Sequence, residues 1–236
     1  MIELIKEKVR KHMSQDNCGH GFDHIERVYN TALRLLQSET ADKNVVMLAA
    51  LLHDVDDYKL FGQEAADGLI NAKKIMSECN INSNMQEKVC DIIHNMGYSK
   101  SLAGIRPKTI EGKIVSDADM LDAMGVNGIV RTLNYAFARC QKYGTPVFDK
   151  EVWPEINLSE EEYKMKGRKA DNCINHFFEK TLRLGKMMMT DAGREYSKIR
   201  LKRMIDFLYG YFDENDVPKW ADYLTNYLQK EGISIK

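Results

Sequence analysis

Three separated stretches of the chain carry groups able to hold a divalent cation. In the first, His53-Asp54 closes the segment Val45–Leu52, eight apolar residues in a row. An imidazole and a carboxylate at the end of a segment buried all round would carry a large desolvation cost unless paired or bound to metal. Taken alone, the dipeptide is better read as a surface acid beside a base. In the second, His24 and Arg27 lie three residues apart, on one helix face, with His20 and Asp23 just ahead of them. In the third, IVSDADMLDA (residues 114–123), Ile114, Ala118, Leu121 and Gly125 make an apolar stripe on a helical wheel. Asp119 and Asp122 flank one edge of that stripe and Asp117 the other. Acids placed against an apolar stripe are half-buried and need a cation, whereas a solvated acidic face would lie opposite it.

Together His24, His53, Asp54 and Asp119 offer two imidazoles and two carboxylates and no thiolate. That donor set suits a catalytic Mn, Fe, Co, Ni, Zn or Mg ion better than a structural zinc. Positions left open on one such ion would take a phosphoryl oxygen and a water, polarising phosphorus and acidifying the water.

The elements that must bring these groups together read as helices nearly throughout. Residues 1–13 form an amphipathic first helix. Asp23–Ser38 repeats apolar residues at helical spacing, and Asp42 caps a helix ending near Asp54. Ser83–Gln86 and Ser159–Glu162 have the capping-box pattern; the first opens a helix to Met96, the second a long helix through His176 to about Met188. Thr109–Met124, Asn127–Lys142, Asp191–Asp213 and Pro218–Lys230 complete the set, and all four prolines fall at boundaries. Residues 97–107 and 144–157 are expected to be the flexible stretches. The expectation is an all-α fold, one helical domain over 1–236 with a core at about 20–140 and a C-terminal helical extension at about 159–236.

Composition bounds the functions. The 236 residues are 44% hydrophobic and 29% charged, with 34 basic against 35 acidic side chains, net −1. That excludes a disordered chain and gives no basic field for polymeric nucleic acid. Few glycines (15) and prolines (4) disfavour an all-β fold. Five scattered cysteines without a CxxC read as reduced, buried thiols of a cytoplasmic protein. No apolar run is long enough to span a membrane.

The pattern His24 … His53-Asp54 … Asp119 resembles the HD-domain metal-dependent phosphohydrolases, whose signature is H…HD…D on a helical domain. The contexts HGFDHIERV, LAALLHDVDDYKLFG and KIVSDADMLDAMGVNGIVR, with NHFFEKTLRL nearer the C-terminus, are similar to the small stand-alone bacterial hydrolases of the YpgQ/YedJ type, over about residues 1–215. The resemblance implies that His24, His53, Asp54 and Asp119 ligate one divalent metal ion. It implies that Asp57, three positions after the dyad, orients or deprotonates water; a solvated loop acid is the alternative. Arg27, Lys59 and Arg131 are then candidates to neutralise phosphate oxygens. His20 and His94 are candidates to hydrogen-bond phosphate or leaving group, and Asp122 to orient a ligand histidine. Many related sequences read HDxxH at the first ligand, where this chain has HGFDH. With His94 the one histidine between the dyad and Asp119, a mononuclear site is expected.

The implied activity is hydrolysis of a phosphate ester or anhydride in a small nucleotide, with a nucleoside triphosphate giving pyrophosphate as one form. A non-catalytic metal- or nucleotide-binding sensor is the alternative, and a homodimer is compatible with either.

Overall fold

The structure, a computed structural model, describes residues 1–14, 21–165, 168, 170 and 172–233. Among them there is no strand; the architecture is all-α. Helices α1 (Ile2–His12), α2 (Phe22–Leu35) and α3 (Lys43–Leu52) come first. The short α4 (Tyr58–Phe61) and α5 (Gln63–Gly68) follow, then α6 (Ile70–Glu78), α7 (Ser83–Asn95), α8 (Tyr98–Leu102), α9 (Ile110–Asp122) and α10 (Gly125–Tyr143). The remainder holds α11 (Glu160–Lys164), α12 (Cys173–Glu179), α13 (Leu184–Met187), α14 (Asp191–Glu214) and α15 (Pro218–Lys230).

Helix α3 is the axis of the fold. Residues 45–52 are all buried, as an all-apolar helix requires. The Asp42 side chain starts it, accepting from the amides of Asn44 (2.9 Å) and Val45 (3.4 Å). Helices α2, α7, α9 and α1 pack around it, and α2 also packs on α9. On α2, Ile25, Val28, Ala32 and Leu35 are inaccessible to solvent, the inward stripe that their spacing predicts. Helix α14 packs on α9 and α10 and carries α15.

Several elements differ from expectation. Asn82, not Ser83, caps α7, its side chain accepting from Met85 N at 2.9 Å; Gln86 instead donates to Ile81 O at 2.8 Å. The Ser159–Glu162 capping box is present but opens only the five residues of α11. The long helix expected from there to Met188 is broken because polar side chains turn inward and compete for the backbone. Asn172 caps α12 through Asn175 N (2.9 Å), and Arg168 pairs with buried Glu179 (2.8 Å) and with Glu155 (2.6 Å). The stretches expected to be flexible are anchored by aromatic rings. Trp153 stacks on Trp220 at 4.3 Å, and the Tyr98 hydroxyl donates to Glu179 O at 2.9 Å. Not every thiol is buried either: Cys79 and Cys173 are, Cys90 is half-buried, Cys140 is exposed, and Cys18 lies outside the described residues. No helix among the described residues is long and apolar enough to cross a membrane.

Candidate metal centre

The dyad sits where α3 stops. His53 still has helical backbone angles and caps the helix, after which residues 53–56 form a tight turn. Asp56 fixes that turn: its buried carboxylate accepts from the amides of Asn71 (2.8 Å) and Ala72 (2.9 Å) at the start of α6. It therefore serves the backbone rather than the cluster. His53 Nδ1 faces the carbonyl of Ala50 at 2.9 Å, one turn back on its own helix. A carbonyl only accepts, so Nδ1 carries the proton and Nε2 presents a lone pair.

His24 comes from the buried face of α2, with 1% of its surface exposed. Its Nδ1 lies 2.7 Å from Asp122 Oδ2 on α9. By the same argument Nδ1 donates to the carboxylate and Nε2 is turned to the site. The two Nε2 atoms face each other at 3.2 Å.

The carboxylates close the ring. Asp54 Oδ2 is 3.3 Å from His24 Nε2, and Asp54 Oδ1 is 3.6 Å from His53 Nε2. Asp119 Oδ1 is 3.5 Å and 3.9 Å from the same two nitrogens. Donor atoms of His24, His53 and Asp119 all lie within 4.8 Å of one another. Ligand bonds of about 2.0–2.2 Å to a shared ion set neighbouring donors roughly 3–3.5 Å apart, so this donor set fits one divalent cation. Two facing imidazole lone pairs with two carboxylates repel unless a cation lies among them. Without a metal that cation is a proton on His24. Burial lowers its pKa, but the bonds to Asp122 and Asp54 outweigh this and raise it to about 9.

Asp122 is the best-braced side chain of the region. It is 2% exposed and also accepts from Arg27 Nε (2.8 Å), Arg27 Nη2 (3.2 Å) and Arg131 Nη1 (2.8 Å). Burial alone would raise its pKa; His24 and the two guanidinium groups hold it far below the usual carboxylate range. Arg200 of α14 donates to Leu121 O alongside.

The other anticipated site residues are distributed as follows. Arg27 divides its donors between Asp122 and Asp23 (Nη1–Oδ2 2.7 Å), so protein carboxylates occupy the groups expected to meet phosphate. Asp57 is half-buried in the turn leading to α4, its amide donating to Asp54 O at 3.1 Å. His94 is exposed on the last turn of α7, and the charges that act on it are Lys100, Lys73, Asp91 and Asp67, none from the cluster. His20 and the side chain of Lys59 lie outside the described residues.

Asp117 corrects the expectation that all three acids of this helix need a cation. It is fully buried and accepts from Met189 N (2.9 Å), Thr190 N (2.8 Å) and Thr190 Oγ1 (2.7 Å) at the start of α14. The Ala50 carbonyl went unremarked in the sequence, although it lies one helical turn before His53. The contact of Arg200, 79 residues from Leu121, has no local signal.

Comparison with known proteins agrees with this geometry. The HD domain profile matches residues 21–124. YpgQ of Bacillus subtilis is 30% identical over 223 residues, covering 92% of this chain and 93% of its own. The chain belongs to the HD-domain family. The solved structure of an HD-superfamily hydrolase from Bacillus thuringiensis is 31% identical to this HD-domain chain, covers 91% of it and 96% of its own length, and superposes with a TM-score of 0.68. A protein of Lactobacillus plantarum gives a TM-score of 0.76 at 30% identity, covering 90% and 95%. YpgQ itself, crystallised in complex with ADP, gives 0.66 at 27% identity, covering 91% and 97%. The fold is thus that of the HD-superfamily hydrolases, in the stand-alone YpgQ-type form.

Proposed function

We propose that this HD-domain protein is a metal-dependent phosphohydrolase acting on a phosphate ester or anhydride of a small nucleotide. The observation that carries the reading is the pair of imidazole Nε2 atoms 3.2 Å apart, each with its Nδ1 already engaged, beside two carboxylates. His24, His53, Asp54 and Asp119 would hold one divalent ion, Mn, Fe, Co, Ni, Zn or Mg. When bound, such an ion supplies positive charge that polarises a phosphoryl oxygen and lowers the pKa of water.

The remaining roles belong to the protein. Asp122 is a positioning residue: it fixes the His24 tautomer and ring orientation. Asp57 orients the attacking water and accepts its proton. Arg131, held on Asp122 through Nη1, directs its other donors to phosphate oxygens, with Lys59 and His20 as further donors. Arg27 acts through Asp122 rather than on phosphate.

The nucleotide part of the reading is supported by the ADP complex of YpgQ. Its finer form is release of pyrophosphate from a nucleoside triphosphate, where several cationic side chains would meet several phosphate charges. The test is a panel of nucleoside mono-, di- and triphosphates with Mn, Co and Mg, assayed separately for phosphate and pyrophosphate. Release of either product supports hydrolysis, and pyrophosphate from triphosphates supports the finer form. No release with any metal overturns it.

A further inference from the structure

Residues 54–61 carry Asp54 of the metal centre and, three positions on, Asp57, the group assigned to water. Backbone bonds chain this segment together: Asp57 N donates to Asp54 O at 3.1 Å, and Phe61 N donates to Asp57 O at 2.9 Å. It is held from outside by a side chain that the phosphohydrolase reading does not use. His12, in the last turn of α1, is half-buried and lies upstream of the residues that match the HD domain profile.

The His12 ring makes two contacts at once. Its Nε2 is 2.9 Å from the carbonyl oxygen of Val55, the residue after Asp54. A carbonyl only accepts, so Nε2 carries the proton and donates. The flat of the same ring stacks on Phe61, with centroids 4.4 Å apart and planes 21° from parallel. The ring therefore bridges the two ends of the segment, with Asp57 between them. Histidine joins a flat ring to a donor; phenylalanine would keep only the stack and glutamine only the donor.

The bridge is anchored on both sides. Ile5 and Val9 of α1 are inaccessible to solvent, α1 packs on α3 and α6, and Lys8 pairs with Glu78 at 2.6 Å. Val55 is fully buried, and its carbonyl also accepts from Asn71 Nδ2 at 3.3 Å. A fixed helix that grips both ends of a short segment narrows the directions open to the residue in its middle.

We propose that His12 is a positioning residue of the reaction: by holding Val55 O and the Phe61 ring together, it sets the direction of the Asp57 carboxylate beside the metal centre. The inference rests on the phosphohydrolase reading above, and on the part of Asp57 in it, and deepens that reading.

The full-length chain tests this with three readouts. In metal-free protein, His12→Ala should speed amide exchange at Asp57, Leu60 and Phe61 by at least about tenfold, while residues 45–52 of α3 keep wild-type protection. Mn affinity, by titration, should stay within about threefold, because the four candidate ligands are untouched. On whichever of ATP, ADP and AMP the wild type cleaves with Mn, Co or Mg, His12→Ala should lower kcat about tenfold to a hundredfold, the scale of a small misplacement of a reacting group, with KM within about twofold. His12→Phe and His12→Gln each keep one contact and should lose less than His12→Ala. In an Asp57→Ala background, His12→Ala should cost no more than about a further twofold, since the residue it positions is gone. Losses that multiply independently of Asp57, unchanged kcat or exchange in His12→Ala, or a fall in Mn affinity that accounts for the fall in kcat, overturn the proposal. A wild type that cleaves nucleotides beside a fully active His12→Ala removes the role of His12 alone. A wild type that cleaves none of them with any of these metals removes the phosphohydrolase reading as well.

Discussion

Helix α9 buries acids against two different kinds of partner. Toward α14, Asp117 is met by backbone amides and a hydroxyl at a helix start. Toward α2 and α3, Asp122 and Asp119 meet imidazoles, and Asp122 meets guanidinium groups as well. Both ends satisfy buried charge, with different consequences. Amides that end on a carboxylate leave nothing for a ligand, so the Asp117 end is stability. Each histidine at the other end spends one nitrogen on a protein acceptor and turns the other toward a shared centre, so that end keeps donors for a ligand.

The largest expected effect would come from removing a member of the centre. His53→Ala should abolish stoichiometric divalent metal by elemental analysis and reduce phosphate release more than about a thousandfold, the scale of several kcal/mol in transition-state stabilisation. Retained metal would break the contrast between the two ends. Next is Asp117→Ala, which strands the Met189 and Thr190 amides in a dry site. A loss of about 3 kcal/mol is expected, a fall in Tm of roughly 6–12 °C, with metal affinity unchanged. Asp122→Asn should do the reverse in kind, weakening metal binding by about ten- to a hundredfold in a competition titration as the carboxylate that orients His24 becomes a neutral amide.

The smallest effect sharpens the contrast through pH. Asp122 is held below the usual carboxylate range, so the stability it contributes is full above about pH 4 and is lost as pH falls further. Burial moves Asp117 the other way: its amide and hydroxyl bonds pull its pKa down, yet the net shift is up. Its contribution is therefore present in acid and declines as pH rises through the raised value. Melting curves from pH 5 to pH 2.5 should show a shallower acid-side loss for Asp122→Asn than for wild type, and a steeper one for Asp117→Asn, which lacks the opposing contribution of Asp117.

Much of this was legible along the chain. The periodicity of α2 and the unbroken apolar run of α3 state which surfaces are buried, because burial follows local spacing. His53-Asp54, at the end of that run, stands out because charge beside an apolar segment needs a reason. The break-up of residues 159–188 was not legible. It depends on Arg168 and Asn172 finding partners inside the fold, and propensity cannot foresee them. Nor did α4 to α6 show in the pattern, being short and weakly periodic.

The sequence by itself determined the helical architecture and the donor types of the centre, since residue type sets what an atom can donate or bind. Tertiary structure alone decided which of three acids on one helix faces imidazoles and which caps a neighbouring helix. Asp117, Asp119 and Asp122 are chemically identical, and only contacts from 70 to 100 residues away distinguish them.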